Sequence, residues 1–80
     1  MTNNETNLFT WNDLVAIKPN APFTYFPGKI VVVVGMEQVK SEILCNEFNI
    51  NIGEWIYTIE YLGGADIEIP ERYLEKYNEL

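Results

Sequence analysis

The chain lacks histidine altogether, and among its 80 residues it has a single cysteine, Cys45. Histidine is the commonest general base and metal ligand, so its absence argues against catalysis and against a metal site. One cysteine cannot form an internal disulfide, and without a basic neighbour we expect it to behave as a small hydrophobic residue. We therefore expect a non-catalytic protein without metal or cofactor, in the reducing cytoplasm.

Basic residues are also scarce, because five lysines and arginines face twelve acids and leave a net charge of −7. The five cations are scattered singly, whereas binding to phosphates needs clusters of them. We therefore do not expect nucleic acid as a partner. Seven of the twelve acids lie in residues 54–80. Such an acidic end suits a solvated surface or, alternatively, contact with a basic partner.

Long apolar runs are missing as well, so the sequence predicts no membrane-spanning helix and no membrane partner. The polar start of the chain has neither the basic residues nor the apolar centre of a secretory signal. We expect residues 1–8 to be a disordered tail and residues 9–80 to form a single domain. In a chain this short we expect one small core.

What the sequence does contain is a run of β-branched apolar residues at 30–34, closed by Gly28 and Gly35. Such a run predicts a strand buried on both faces. Eighty residues cannot supply helical layers for both faces, so we expect the sheet to curl round and cover itself as a small β-barrel. The predicted class is all-β, with about five short antiparallel strands and one or two short helical turns.

Further elements follow from periodicity. Strands are predicted at 14–18, 54–62 and 65–69, the last two joined by a tight turn at Gly63 and Gly64. Residues 39–46 fit a short helix better than a strand, although the strand stays an alternative. A helical turn is predicted over 71–77. The residues expected in the core are Ile30, Val32, Val34, Ile59, Ile67, Ile69 and Leu74.

Residues 18–27 form a loop that prolines at 19, 22 and 27 stiffen. This loop carries Phe23, Tyr25 and Phe26, which is more aromatic surface than a connection requires. The rings fit two interpretations, a lid over the core or a binding surface for a partner.

The acids at Asp66 and Glu68 are expected to alternate outward along one strand, with Glu60 across the hairpin. Carboxylates so placed are able to hold Ca²⁺ or to act as acid and base. The chain lacks an aspartate-rich calcium loop, however, so a solubilising role is favoured.

The closing segment, with Ile69, Pro70 and Tyr73, resembles the Pro-x-x-Tyr element of eukaryotic SH3 domains. Trp55 precedes Pro70 by fifteen positions, close to that family's Trp-to-Pro interval. The resemblance covers about residues 54–74 and implies an SH3-like barrel. It also implies a shallow groove for proline-rich peptides, in which Trp55, Pro70 and Tyr73 take the aromatic and proline positions.

The chain departs from eukaryotic SH3 domains in lacking their opening Ala-Leu-Tyr-Asp-Tyr type motif and any acid in residues 18–27. It is more similar to bacterial small barrels with Phe-x-x-Gly-Asp-x-Val near the start and Tyr-x-Val-Glu-x-x-x-Gly before Pro-Glu-x-x-Leu. Residues 9–15 and 57–74 follow that outline, with Asn12 where glycine is usual. Those relatives serve chiefly as accessory or docking subunits, so the resemblance indicates a fold more than a function.

Three functions compete on these observations. The favoured one is a protein-interaction module or accessory subunit that docks a protein partner, and a basic or a proline-rich segment of that partner fits the expected site. An acidic inhibitor or immunity-type protein that blocks a basic site is the alternative, and an enzyme acting through carboxylates is the third. The expected partner-binding residues are Phe23, Tyr25, Phe26, Trp55, Pro70 and Tyr73.

Overall fold

The computed structural model describes residues 7–61 and 64–77 of the protein. The elements are β1 (Leu14–Ile17), β2 (Ile30–Gln38), α1 (Glu42–Phe48), β3 (Trp55–Glu60), β4 (Asp66–Pro70) and β5 (Leu74–Lys76), with 3₁₀ turns at Phe23–Tyr25 and Glu71–Tyr73. The strands pair antiparallel in the order β4-β3-β2-β1-β5. The predicted all-β class is confirmed. Most of the predicted tail over 1–8, and Gly63 of the predicted turn, lie outside the described residues.

The long strand β2 occupies the centre of the sheet, as its run of β-branched residues predicts, and pairs with both β1 and β3. The register against β3 shifts between Val33 and Gly35. Such a bulge puts an additional residue in one strand, bends it and increases its twist. The bulge therefore bends β2 at the centre of the sheet and contributes to the curl of the sheet.

The face that β2 turns to the core differs from the prediction. Val31 and Val33 are buried, whereas Ile30 and Val34 are 41% and 38% exposed and Val32 is half-buried. The reason is pairing with β1, where Val31 lies opposite the buried Val15. A shift of one residue exchanges the two faces of a strand. The expectation that this strand is buried on both faces is accordingly wrong, because its outer face is partly open.

The main core lies between the inner faces of the curled sheet and holds the predicted Ile59, Ile69 and Leu74, while Ile67 packs against it half-buried. Its buried members are Phe9, Val15, Ile17, Ala21, Val31, Val33, Tyr57, Ile59, Ile69 and Leu74. Burying these apolar side chains is the chief stabilising contribution to a domain of this size.

The expectation of a single core is wrong, because a second, smaller core lies beneath α1 and consists of Val39, Ile50 and Ile56. The Ser41 hydroxyl accepts a hydrogen bond from the Leu44 N–H at 3.3 Å and so caps the helix. The predicted helix over 39–46 is thus confirmed, but it begins after its cap and ends at Phe48. Cys45 is half-buried against this core, as expected for a small hydrophobic residue.

The sheet curls without closing. Only the 3₁₀ turn Glu71–Tyr73 separates β4 from β5, and this turn advances the chain by about 6 Å. A flat sheet would set its two edge strands about 19 Å apart. The curl is therefore forced, but no ladder joins β4 to β5 among the described residues. Pro70 at the end of β4 has no N–H to donate, and the short β5 pairs with β1.

The predicted helical turn over 71–77 is correct only for its first three residues. Leu74–Lys76 form β5 instead, with Leu74 opposite Ile17. Both side chains are buried in the main core. Pairing with β1 carries Leu74 into the core, and this contact overrides the local helical preference.

Candidate functional site

The loop at residues 18–29, which we call the aromatic loop, is pinned at its base by backbone hydrogen bonds. The Lys18 N–H donates to the Tyr73 carbonyl at 2.8 Å, and the Gly28 N–H donates to the Ile17 carbonyl at 2.8 Å. Its prolines fix φ at three further positions. The loop therefore holds its rings in defined places.

Phe26 adopts the left-handed backbone region, with φ of 62°. This conformation is an outlier for a bulky residue and is held here by the Phe26 N–H, which donates to the Phe23 carbonyl at 2.9 Å. Strained backbone of this kind gathers at functional sites. Its effect is to aim the Phe26 ring at Tyr61, with the ring centroids 5.4 Å apart in an edge-to-face arrangement.

Tyr25 turns the other way and packs on Tyr73 of the 3₁₀ turn Glu71–Tyr73, with ring centroids 5.7 Å apart. The Arg72 guanidinium lies 5.8 Å from the Tyr73 ring. The Tyr61 hydroxyl donates to the Tyr25 carbonyl at 3.1 Å. Burial raises the pKa of Tyr25, and the neighbouring Tyr73 raises it further. Burial also raises the pKa of Tyr61.

The predicted site residues do not form one uniform surface. Phe23 is 90% exposed and Phe26 is 52% exposed, whereas Tyr25 and Tyr73 are half-buried against the main core. Trp55, at the start of β3, is likewise half-buried against that core. Pro70 is fully buried and therefore offers no surface to a partner.

Beside the aromatic loop lies a groove that the sequence did not indicate, where β2 and β4 begin and β3 ends. Its lining includes Tyr61 and Ile67, which pack against the main core, and residues of the outer face such as Val32 and Glu60. It consists of two adjoining hollows of about 340 and 470 Å³ that share Ile30 and Tyr61. The first is lined by Phe26, Lys29, Ile30, Tyr61, Ala65 and Ile67. The second is lined by Leu14, Ile30, Val31, Val32, Glu60, Tyr61 and Gly64. We call the two hollows together the outer groove. The signal that could have found it is β2, whose apolar run has more side chains than one core face can take.

The buried tyrosine Tyr57 has a structural role. Its hydroxyl accepts from the Phe9 N–H at 3.2 Å and donates to Glu71 Oε2 at 2.6 Å. The same carboxylate oxygen accepts from the Leu8 N–H at 2.8 Å. These bonds tie residues 8 and 9 to the core. They also give hydrogen-bond partners to the Tyr57 hydroxyl and to the Glu71 carboxylate.

The outward acids lie where the sequence predicted, with Glu60 opposite Asp66 and Thr58 opposite Glu68. In the part of the chain that the structure describes, no three acidic or cysteine side chains gather into a group able to hold a metal ion. Nor does any helix in residues 7–61 and 64–77 have the length and apolar character to cross a membrane.

Comparison of the chain with protein-family models, with curated proteins and with solved structures found no match.

Proposed function

We propose that this domain is a non-catalytic protein-interaction module that docks a protein partner on the exposed rings of its aromatic loop. The observation that carries the proposal is the 90% exposure of Phe23 beside the half-exposed Phe26, on a loop whose base is hydrogen-bonded to β1 and Tyr73. A ring so exposed adds nothing to the core. It is, however, the kind of residue that anchors interfaces.

The rigidity of the loop supports this assignment. Binding orders side chains and loops, and this ordering opposes association. The aromatic loop is ordered before any partner arrives, because its prolines and backbone hydrogen bonds restrict it. The lid interpretation applies to Tyr25, which packs on Tyr73, and leaves Phe23 and Phe26 for contact.

The proposal includes membership of the SH3-like small-barrel type and a place in the cytoplasm. The antiparallel order of five strands and the 3₁₀ turn directly after Pro70 support the first. The free thiol of Cys45 supports the second.

The acidic inhibitor remains a second candidate, favoured by the net charge of −7 and by the exposed Asp66 and Glu68. In that case the docked partner is a basic toxin or a nucleic-acid-binding protein whose site the domain blocks. The identity of the captured partner separates the two functions.

The test is affinity capture from the native host with the wild-type domain and with Phe23→Ser. The matched control is Ile43→Ser on α1, because Ile43 is 77% exposed and lies far along the chain from the loop. We expect Phe23→Ser to lose the partner and Ile43→Ser to retain it. A partner retained equally by both variants, or none captured by the wild type, would contradict the proposed function.

A further inference from the structure

The outer groove is a largely apolar hollow whose central residues are open to solvent. Ile56 of the outer face is buried in the small core beneath α1, whereas Leu14, Ile30 and Val32 of the same face line the groove. Ile30 at its centre is 41% exposed, and Leu14 at one end is 49% exposed. Contiguous exposed apolar surface with a polar rim is typical of interaction sites.

The rim of this groove is acidic. Glu60 lines it, and the register sets Asp66 directly opposite Glu60 on the same face of the sheet. The next pair along the ladder adds Glu68 opposite Thr58. Like charges directly across an antiparallel ladder are destabilising. A cation of a partner placed between Glu60 and Asp66 would relieve that repulsion, while Lys29 is the one cation among the described lining residues.

We infer that the outer groove binds an extended peptide segment of a protein partner, with apolar side chains in the groove and lysine or arginine beside Glu60 and Asp66. This inference rests on the proposed function and names the chemistry of the partner. Phe26 connects the outer groove to the exposed rings of the aromatic loop, since its ring lines the groove and its loop carries Phe23. The partner thus runs from the aromatic loop along the outer groove.

Other occupants fit the groove less well. A small-molecule site encloses most of its ligand, whereas here Ile30 and Leu14 stay open to solvent. A second copy of this chain carries the same net charge of −7, so the two acidic surfaces repel each other. The acidic rim instead complements a basic segment.

The experiment selects binders from a display library of random peptides against the wild-type domain. Selected peptides are measured by titration against Ile30→Thr, which keeps a β-branched residue in β2, and against Asp66→Lys. The matched controls are Ile43→Thr and Glu47→Lys, both on exposed positions of α1. Backbone amide NMR shifts locate the peptide, and circular dichroism verifies that each variant is folded.

We expect the selected peptides to carry apolar residues flanked by lysine or arginine and to shift the amides of Lys29, Ile30 and Ala65. Ile30→Thr should weaken the affinity of the selected peptides about tenfold. Asp66→Lys should weaken it about fivefold, the upper range for an exposed charge pair. The α1 controls should bind as the wild type does.

A selection that yields no binder, or binders that are acidic or indifferent to Ile30→Thr, would overturn the inference. That failure is distinguishable from failure of the proposed function. Phe23 does not line the outer groove, so capture that depends on Phe23 remains a separate result.

Discussion

Tyr57 connects the main core to residues 8 and 9. Its ring is fully buried and packs edge-to-face against Phe9 at 5.5 Å. Its hydroxyl links the Phe9 N–H to the Glu71 carboxylate. One side chain thereby joins β3, residues 8 and 9, and the 3₁₀ turn Glu71–Tyr73.

Replacement of Tyr57 by phenylalanine tests that link. The ring stays, but the buried Phe9 N–H loses its acceptor and the half-buried Glu71 carboxylate loses one of its donors. An unsatisfied buried group costs about 1–3 kcal/mol. Chemical denaturation measures the loss in the free energy of unfolding. Tyr61→Phe is the control, because its single bond to the Tyr25 carbonyl lies at a half-buried position and should cost less. An equal loss in both variants would contradict this account.

Stability should also fall at high pH. Burial raises the pKa of Tyr57, and its hydrogen bond to Glu71 raises it further. Below about pH 10, the pKa of an unfolded tyrosine, both states keep the proton and the full stability is present. Above it the unfolded chain releases the proton first, so stability is lost as the pH rises toward the raised pKa of the folded state.

Denaturation at about pH 8 and about pH 11 measures this loss. The wild type should lose more stability between the two than Tyr57→Phe does, since the variant lacks the phenol. Lysine deprotonation affects both proteins alike and cancels in the comparison. Identical losses would show that Tyr57 does not carry the effect.

At the scale of the element, β2 supplies side chains to both the main core and the outer groove. Its inner face supplies Val31 and Val33 to the main core, and its outer face supplies Ile30 and Val32 to the groove. The two sets are adjacent in the chain and chemically alike. Only the pairing of Val31 with Val15 assigns them to their faces.

A pair of alanine variants tests that assignment. Val33→Ala removes two buried methyl groups and should lower the free energy of unfolding by about 2 kcal/mol. Val34→Ala, at a position 38% exposed, should lower it by less than half as much. Thermal and urea denaturation measure both. A larger loss for Val34→Ala would mean that the other face of β2 is buried.

The same strand shows what the sequence could and could not predict. The hairpin of β3 and β4 was predictable because Tyr57, Ile59 and Ile69 alternate with polar residues. In β2 every residue from 30 to 34 is apolar, so alternation gives no information about the face. The start of α1 could be refined only from the bond between Ser41 and Leu44.

At the scale of the whole molecule, the prediction succeeded for class and strand number and failed for closure. Local patterns located four of the five strands, whereas β5 lies where they predicted a helical turn. Closure depends on whether β4 and β5 pair, which the 3₁₀ turn Glu71–Tyr73 and Pro70 decide. For the site, the prolines and rings of the aromatic loop were visible in the sequence. Tyr61 and Ile30 were not, because their place beside Phe26 depends on the curl of the sheet.

The central claim is that the aromatic loop contacts a protein partner, and site-specific photo-crosslinking tests it most directly. Benzoylphenylalanine replaces Phe23 in one protein and Ile43 in another, and each is irradiated in cells of the native host. Both positions are exposed, so labelling by chance encounters is the same. We predict one discrete crosslinked protein from position 23 and none from position 43. No adduct at position 23, or the same adduct at both positions, would contradict the account.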